Sequence, residues 1–113
     1  MKILAIEVET PGVLPEQFEV YLRDEAAAVW RLYESGLLRE IYFRDDVHTA
    51  VLMLECTDVA HAQQILAKLP LVRQGLIRFD ILPLAPYTGL ARLFIHKDDQ
   101  VTDCTAQVRF KEL

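Results

Sequence analysis

Two cysteines in 113 residues, Cys56 and Cys104, are too few for a disulfide framework, and neither lies in a CxxC pair or at metal-ligand spacing from a histidine. Free thiols suit a reducing cytosol, so a cytoplasmic location is expected. No run approaches the roughly 18 apolar residues that span a bilayer. The opening Met1-Lys2-Ile3-Leu4-Ala5-Ile6-Glu7 meets a carboxylate before a secretory apolar segment is complete. Basic residues are the minority, 12 against 17 acidic ones for a net charge of -5, so no overall positive field draws nucleic acid or anionic lipid. Neither partner is expected. The chain also lacks a Gly-rich phosphate loop, a nucleophilic serine elbow and a paired-carboxylate metal motif.

What it has in abundance is apolar side chains, 52% against 26% charged. A chain of this length builds one core, and the surface of so small a domain normally demands more polar residues. The excess predicts a buried interface, most simply with further copies of the same chain.

Residues 2–9 alternate, Leu4, Ile6 and Val8 against Ile3, Ala5, Glu7 and Glu9, the period of a strand. Thr10-Pro11-Gly12 ends it. Pro15 and Glu16 suit the first turn of a helix. From there Phe18, Leu22, Ala26, Val29 and Tyr33 form one apolar stripe, predicting a single long helix up to Ser35-Gly36. Residues 37–45 and 49–56 read as two strands joined by Asp45-Asp46-Val47-His48. The second of these is apolar on both faces, and helices can cover only one. Its Val51 and Met53 therefore call for a partner sheet.

Asp58 is a good N-cap for a second helix carrying Val59, Ala62, Ile65, Leu66 and Leu69, which Pro70 should end. A fourth strand follows at about 76–82, where Ile77, Phe79 and Ile81 alternate with Arg78 and Asp80. The chain thus divides into an α+β, ferredoxin-like β-α-β-β-α-β domain over residues 1–87 and a C-terminal extension over 88–113. The extension opens with the apolar Leu90, Leu93 and Phe94, suited to docking on its own or a neighbouring subunit, and carries a strand-like stretch at 106–110.

Several features in this order resemble the muconolactone isomerase family of the dimeric α+β barrel. They are Asp24-Glu25 in the first helix, Gly36 followed by Arg39, and the helix exit Leu66-Ala67-Lys68-Leu69-Pro70-Leu71. The resemblance runs from about Asp24 to Pro86. It implies a homo-oligomer, a dimer through face-to-face sheets that stacks into a decamer in some members. It also implies a cofactor-independent isomerase, or a related lyase or dehalogenase, acting on a small anionic lactone of aromatic catabolism. The chain departs from the family where Asp-Glu-Lys becomes Asp24-Glu25-Ala26, and where Leu38 and Glu40 replace the aromatic and His side chains flanking the arginine. The missing lysine keeps open a non-catalytic ligand-binding or structural oligomer of the same fold. A haem- or oxygen-dependent monooxygenase of the same superfamily is a third reading, disfavoured because no His stands on the first helix or inside the sheet.

Moving a proton between carbons beside a carbonyl needs a base, a donor to the developing oxyanion and, for an anionic substrate, a cation. Glu25, beside the apolar stripe, is the candidate base, with an ordinary solvated carboxylate as the alternative. Arg39 is the candidate for the substrate carboxylate, matching the family's strand-two arginine, with a surface ion pair as the alternative. Glu7, a carboxylate in an apolar strand, is costly unless it faces a cavity. Tyr42 and His48 complete the candidate substrate-binding set, each with a purely structural alternative. His61, His96 and Cys56 are weaker candidates, and Trp30 is expected at the arm or at an oligomer contact.

Overall fold

The computed structural model describes residues 1–95. Four strands, β1 (Lys2–Glu9), β2 (Leu38–Phe43), β3 (Ala50–Glu55) and β4 (Ile77–Pro83), form one antiparallel sheet in the order β2-β3-β1-β4. That order, with a helical connection after β1 and another after β3, is the ferredoxin-like β-α-β-β-α-β arrangement. The expected strand at 106–110, together with His96 and Cys104, lies outside the described residues.

The single long first helix is corrected to two: α1 (Pro15–Glu19) and α2 (Leu22–Glu34), separated at Val20-Tyr21. Both junction residues keep right-handed helical backbone angles. The break therefore offsets the helix axis without reversing the chain, and the apolar period continues through it unaltered. Gln17 Oε1 accepts the Leu14 N–H at 2.8 Å and fixes the start of α1. Gly36, at φ +82°, ends α2 by donating its N–H to Tyr33 O, a left-handed position that disfavours any side chain.

Asp58 caps α3 (Val59–Ala67), its Oδ1 accepting the His61 N–H at 2.8 Å. Pro70 ends that helical run, but it also begins a further one, α4 (Pro70–Arg73), because a proline at N1 has no N–H to waste. Gly75, at φ +72°, closes α4 as a Schellman turn in which Leu76 N donates to Leu71 O and Gly75 N to Val72 O.

The helices lie on one face of the sheet. Ile3, Ala5, Leu38, Leu52 and Leu54 from the strands meet Ala62, Ile65, Leu66 and Leu69 from the α3 segment in one buried core. By register, Leu4 pairs with Met53 and Leu82, and Ile6 with Val51, so these side chains point the other way. They stay partly or largely exposed. A 3-10 turn, Gly89–Leu93, follows β4, and Leu90, Leu93 and Phe94 are 62–77% exposed. The described residues do not cover these side chains.

One irregularity sets the lining of the helix side. Leu38 pairs with Leu54 while Glu40 pairs with Met53, so β2 bulges by one residue at Arg39. Beyond the bulge the alternation is reversed. Ile41 and Phe43 share the face of Leu38, opposite Leu52 and Ala50, and Glu40 and Tyr42 share the outer face with Met53 and Val51.

Candidate functional site

Between the helix side of the sheet and α1–α2 lies a cavity of about 620 Å³. Its walls are largely apolar, with Phe18, Leu22 and Val29 from the helices and Ile41 and Phe43 from β2. Four carboxylates also line it, those of Glu7, Glu9, Glu19 and Glu25, together with His48. No Lys or Arg does.

Glu7 reaches the cavity by parity. Ile3 and Ala5 lie fully buried beneath the helices, and two residues further along β1 the same face leaves the core and enters the cavity. Its Oε1 accepts the Ala50 N–H at 3.3 Å, a long bond. Glu25 projects from the first turn of α2, and its Oε1 accepts the Leu71 N–H at 2.9 Å, tying the carboxylate to the start of α4.

Burial raises both carboxyls above their ordinary value, and in each the backbone N–H it accepts pulls the other way. Glu7 is raised further by Glu9 and Glu25 and lowered by His48. The shorter bond and the helix N-terminus both favour the ionised form at Glu25. Of the two, Glu7 is the one raised further by the charge of the other. Two carboxyls of raised pKa thus face one largely apolar cavity.

His48 stacks on Phe43 with ring centroids 4.0 Å apart and so joins the wall that Phe43 builds. The other two candidates lie elsewhere. Arg39 is exposed at the bulge and donates from Nε to Gly36 O at 2.8 Å. Tyr42, on the outer face, donates its hydroxyl to Glu40 Oε1 at 2.9 Å, and this acceptor holds the phenol above its ordinary pKa. The structure thus brings Glu7, Glu25 and His48 together and leaves Arg39 and Tyr42 apart from them.

The remaining candidates have local explanations. His61 Nδ1 accepts the Thr57 N–H at 3.2 Å beside the α3 cap. Cys56 is buried, which pushes its thiol up and away from a reactive thiolate. Trp30 is 58% exposed and stacks on Tyr33, with ring centroids 5.8 Å apart. Among the described residues no group of three or more His, Cys, Asp or Glu is placed to hold a metal ion, and no helix is long and apolar enough to cross a membrane.

The raised carboxyls predict a pH effect on stability. An acid whose native pKa is raised contributes stability that is complete below its unfolded-state pKa and is lost as pH rises through the native one. Glu7→Gln removes that loss at one position. The variant's melting temperature, measured against wild type between about pH 4 and pH 8, should rise relative to it as pH increases. A difference that is flat or of opposite slope would show that Glu7 is not held in a desolvated site.

No family model matches the chain, and no curated protein is similar to it in sequence. Solved structures are similar to it in fold. One is the crystal structure of muconolactone isomerase, with a TM-score of 0.65 at 17% identity, covering 78% of this chain and 92% of that one. Another is 5-chloro-2-hydroxyhydroquinone dehydrochlorinase from Burkholderia phenoliruptrix in complex with 2,5-dihydroxybenzoquinone. It has a TM-score of 0.55 at 15% identity, covering 77% of this chain and 96% of that one. The fold is therefore muconolactone isomerase-like.

Proposed function

We propose that the chain is a cofactor-independent isomerase, or a related lyase or dehydrohalogenase, that moves a proton on a small ring compound bound in the cavity. The observation that carries this reading is the Glu7–Glu25 pair, two carboxyls that burial raises, both lining one largely apolar cavity. Two similar folds, described as an isomerase and a dehydrochlorinase, act in the same direction.

In this reading ionised Glu25 takes a proton from the carbon beside a ring carbonyl. The C–H electron pair moves into the ring and negative charge collects on the carbonyl oxygen. Protonated Glu7 donates a hydrogen bond to that oxygen. Glu25 then returns the proton to a more distant carbon of the conjugated system, which completes an isomerisation. If the ring instead carries a halide on the adjacent carbon, the electron pair expels it and Glu25 keeps the proton. Neither route needs an oxidant or reductant.

An acid-lined wall repels a substrate carboxylate. For an anionic lactone, the substrate class proposed here, the carboxylate has to stay at the rim while the uncharged carbonyl edge enters. Arg39, exposed two residues along β2 from Ile41 of the wall, is the cation proposed to hold it, from the same chain or an adjoining one. Its Nε is held by Gly36 O, which leaves the two Nη groups to make that contact.

The test is isomerisation, proton exchange or halide release on a panel of butenolide carboxylates and halogenated hydroxyquinols, followed by absorbance and NMR. Turnover of a panel member supports the reading. A panel that binds without reacting would replace it with the non-catalytic ligand-binding oligomer, and one that neither binds nor reacts would remove it. On an anionic substrate, Arg39→Lys should raise KM by about tenfold with little change in kcat, because an ammonium lacks the two-pronged contact. Unchanged KM would take Arg39 out of the site.

A further inference from the structure

A second hollow, about 360 Å³, lies on the other side of α2. Three cations line it: Arg31 in the last turn of α2, Lys68 at the C-cap of α3 and Arg73 in the last turn of α4. Asp24 is the one acid, and Tyr21 and Gln74 add neutral hydrogen-bonding groups.

The charge is out of keeping with the rest of the chain, which carries 17 acidic side chains against 12 basic ones. Two cations outside the groove have an acid close by, Arg44 with Asp46 and Arg78 with Asp80. Among the described residues Arg31, Lys68 and Arg73 make no side-chain hydrogen bond or ion pair. Three like charges converging from three helical segments repel one another, and a single aspartate offsets only one of them. A multiply charged anion would remove that repulsion, and two planar guanidinium forks suit its oxygens.

We propose that this groove is a binding site for a small polyvalent oxyanion, a diphosphate-bearing or polycarboxylate metabolite. The volume falls within the range of ordinary ligand sites. A long polyanion such as nucleic acid fits poorly, since a net charge of -5 surrounds one short cationic groove. This site stands apart from the chemistry of the cavity, but the two share walls. Asp24 and Pro70 line the groove, while their neighbours Glu25 and Leu71 line the cavity and are hydrogen-bonded to each other.

The experiment is isothermal titration calorimetry of the full-length protein with pyrophosphate and, separately, citrate at low ionic strength, with sodium chloride at matched ionic strength as control. Saturable one-site binding of either is expected, and the tighter arm identifies phosphoryl or carboxylate chemistry. Combining Arg31→Gln with Arg73→Gln should weaken binding at least about tenfold. Asp24→Asn should tighten it, an effect that damage to the fold would not produce. The proposal is overturned if neither anion saturates, if the double variant binds as well as wild type, or if Asp24→Asn binds more weakly.

Discussion

Glu25→Gln is expected to lower kcat by about two to four orders of magnitude on any panel substrate the protein turns over, with little change in KM. The amide keeps the shape of the side chain and retains an oxygen to accept the Leu71 N–H, so α4 stays docked and the cavity keeps its walls. What disappears is the basic oxygen. Glu7→Gln should cost less, because an amide still donates a hydrogen bond to the oxyanion while losing only the acid's extra strength. The two variants are therefore compared at equal thermal stability, checked by circular dichroism. A Glu25→Gln protein as active as wild type would remove the base from this account. A Glu7→Gln protein more damaged than Glu25→Gln would exchange the two roles.

At micromolar concentration the protein should sediment as at least a dimer, whereas a Val51→Lys, Met53→Lys double variant should sediment at the 13.0 kDa of one chain. The outer face of the sheet carries Leu4, Ile6, Val51 and Met53 across its two central strands, all partly open to water in the single chain. Covering a side chain of this size is worth about 1.5–3 kcal/mol, so a matched pair of such faces gains enough to associate. Two ammonium groups placed at its centre forfeit the gain and add the cost of desolvating unpaired charge. The core is untouched, since Val51 and Met53 alternate with the buried Ala50, Leu52 and Leu54. A wild-type protein that remained folded as a monomer would leave this apolar face without a purpose.

The succession of elements and the faces of the helices were legible in the sequence because both depend on periods that side chains impose over many residues. The place of Glu7 follows from the same rule, since Ile3 and Ala5 fix which face its parity shares. Glu25 was legible only as a neighbour of the apolar stripe. Its partner, the Leu71 N–H, becomes available because Pro70 starts a new helix as well as stopping the old one, and the proline pattern allows both. The break at Val20-Tyr21 leaves no mark on an apolar period that runs through it. The walls of Phe43 and Ile41 were missed, and Tyr42 was expected where they stand. Counting by twos from the buried Leu38 reaches Glu40 and Tyr42, and no residue type announces that the count slips at Arg39.

That slip makes the chemistry of the pocket depend on strand register as well as on residue identity. Closing the bulge with Arg39 kept in the ladder would restore plain alternation from Leu38 and rotate the rest of β2 by half a turn. Glu40 and Tyr42 would then enter the wall, and Ile41 and Phe43 would move to the outer sheet face. A pocket for an apolar ring would gain a phenol and a further carboxylate, while the surface proposed to meet another subunit would gain two large apolar side chains. A one-residue slip of register thus exchanges recognition of a small molecule for adhesion between chains, whereas deletion of Arg39 itself would remove the bulge and leave Ile41 and Phe43 in the wall.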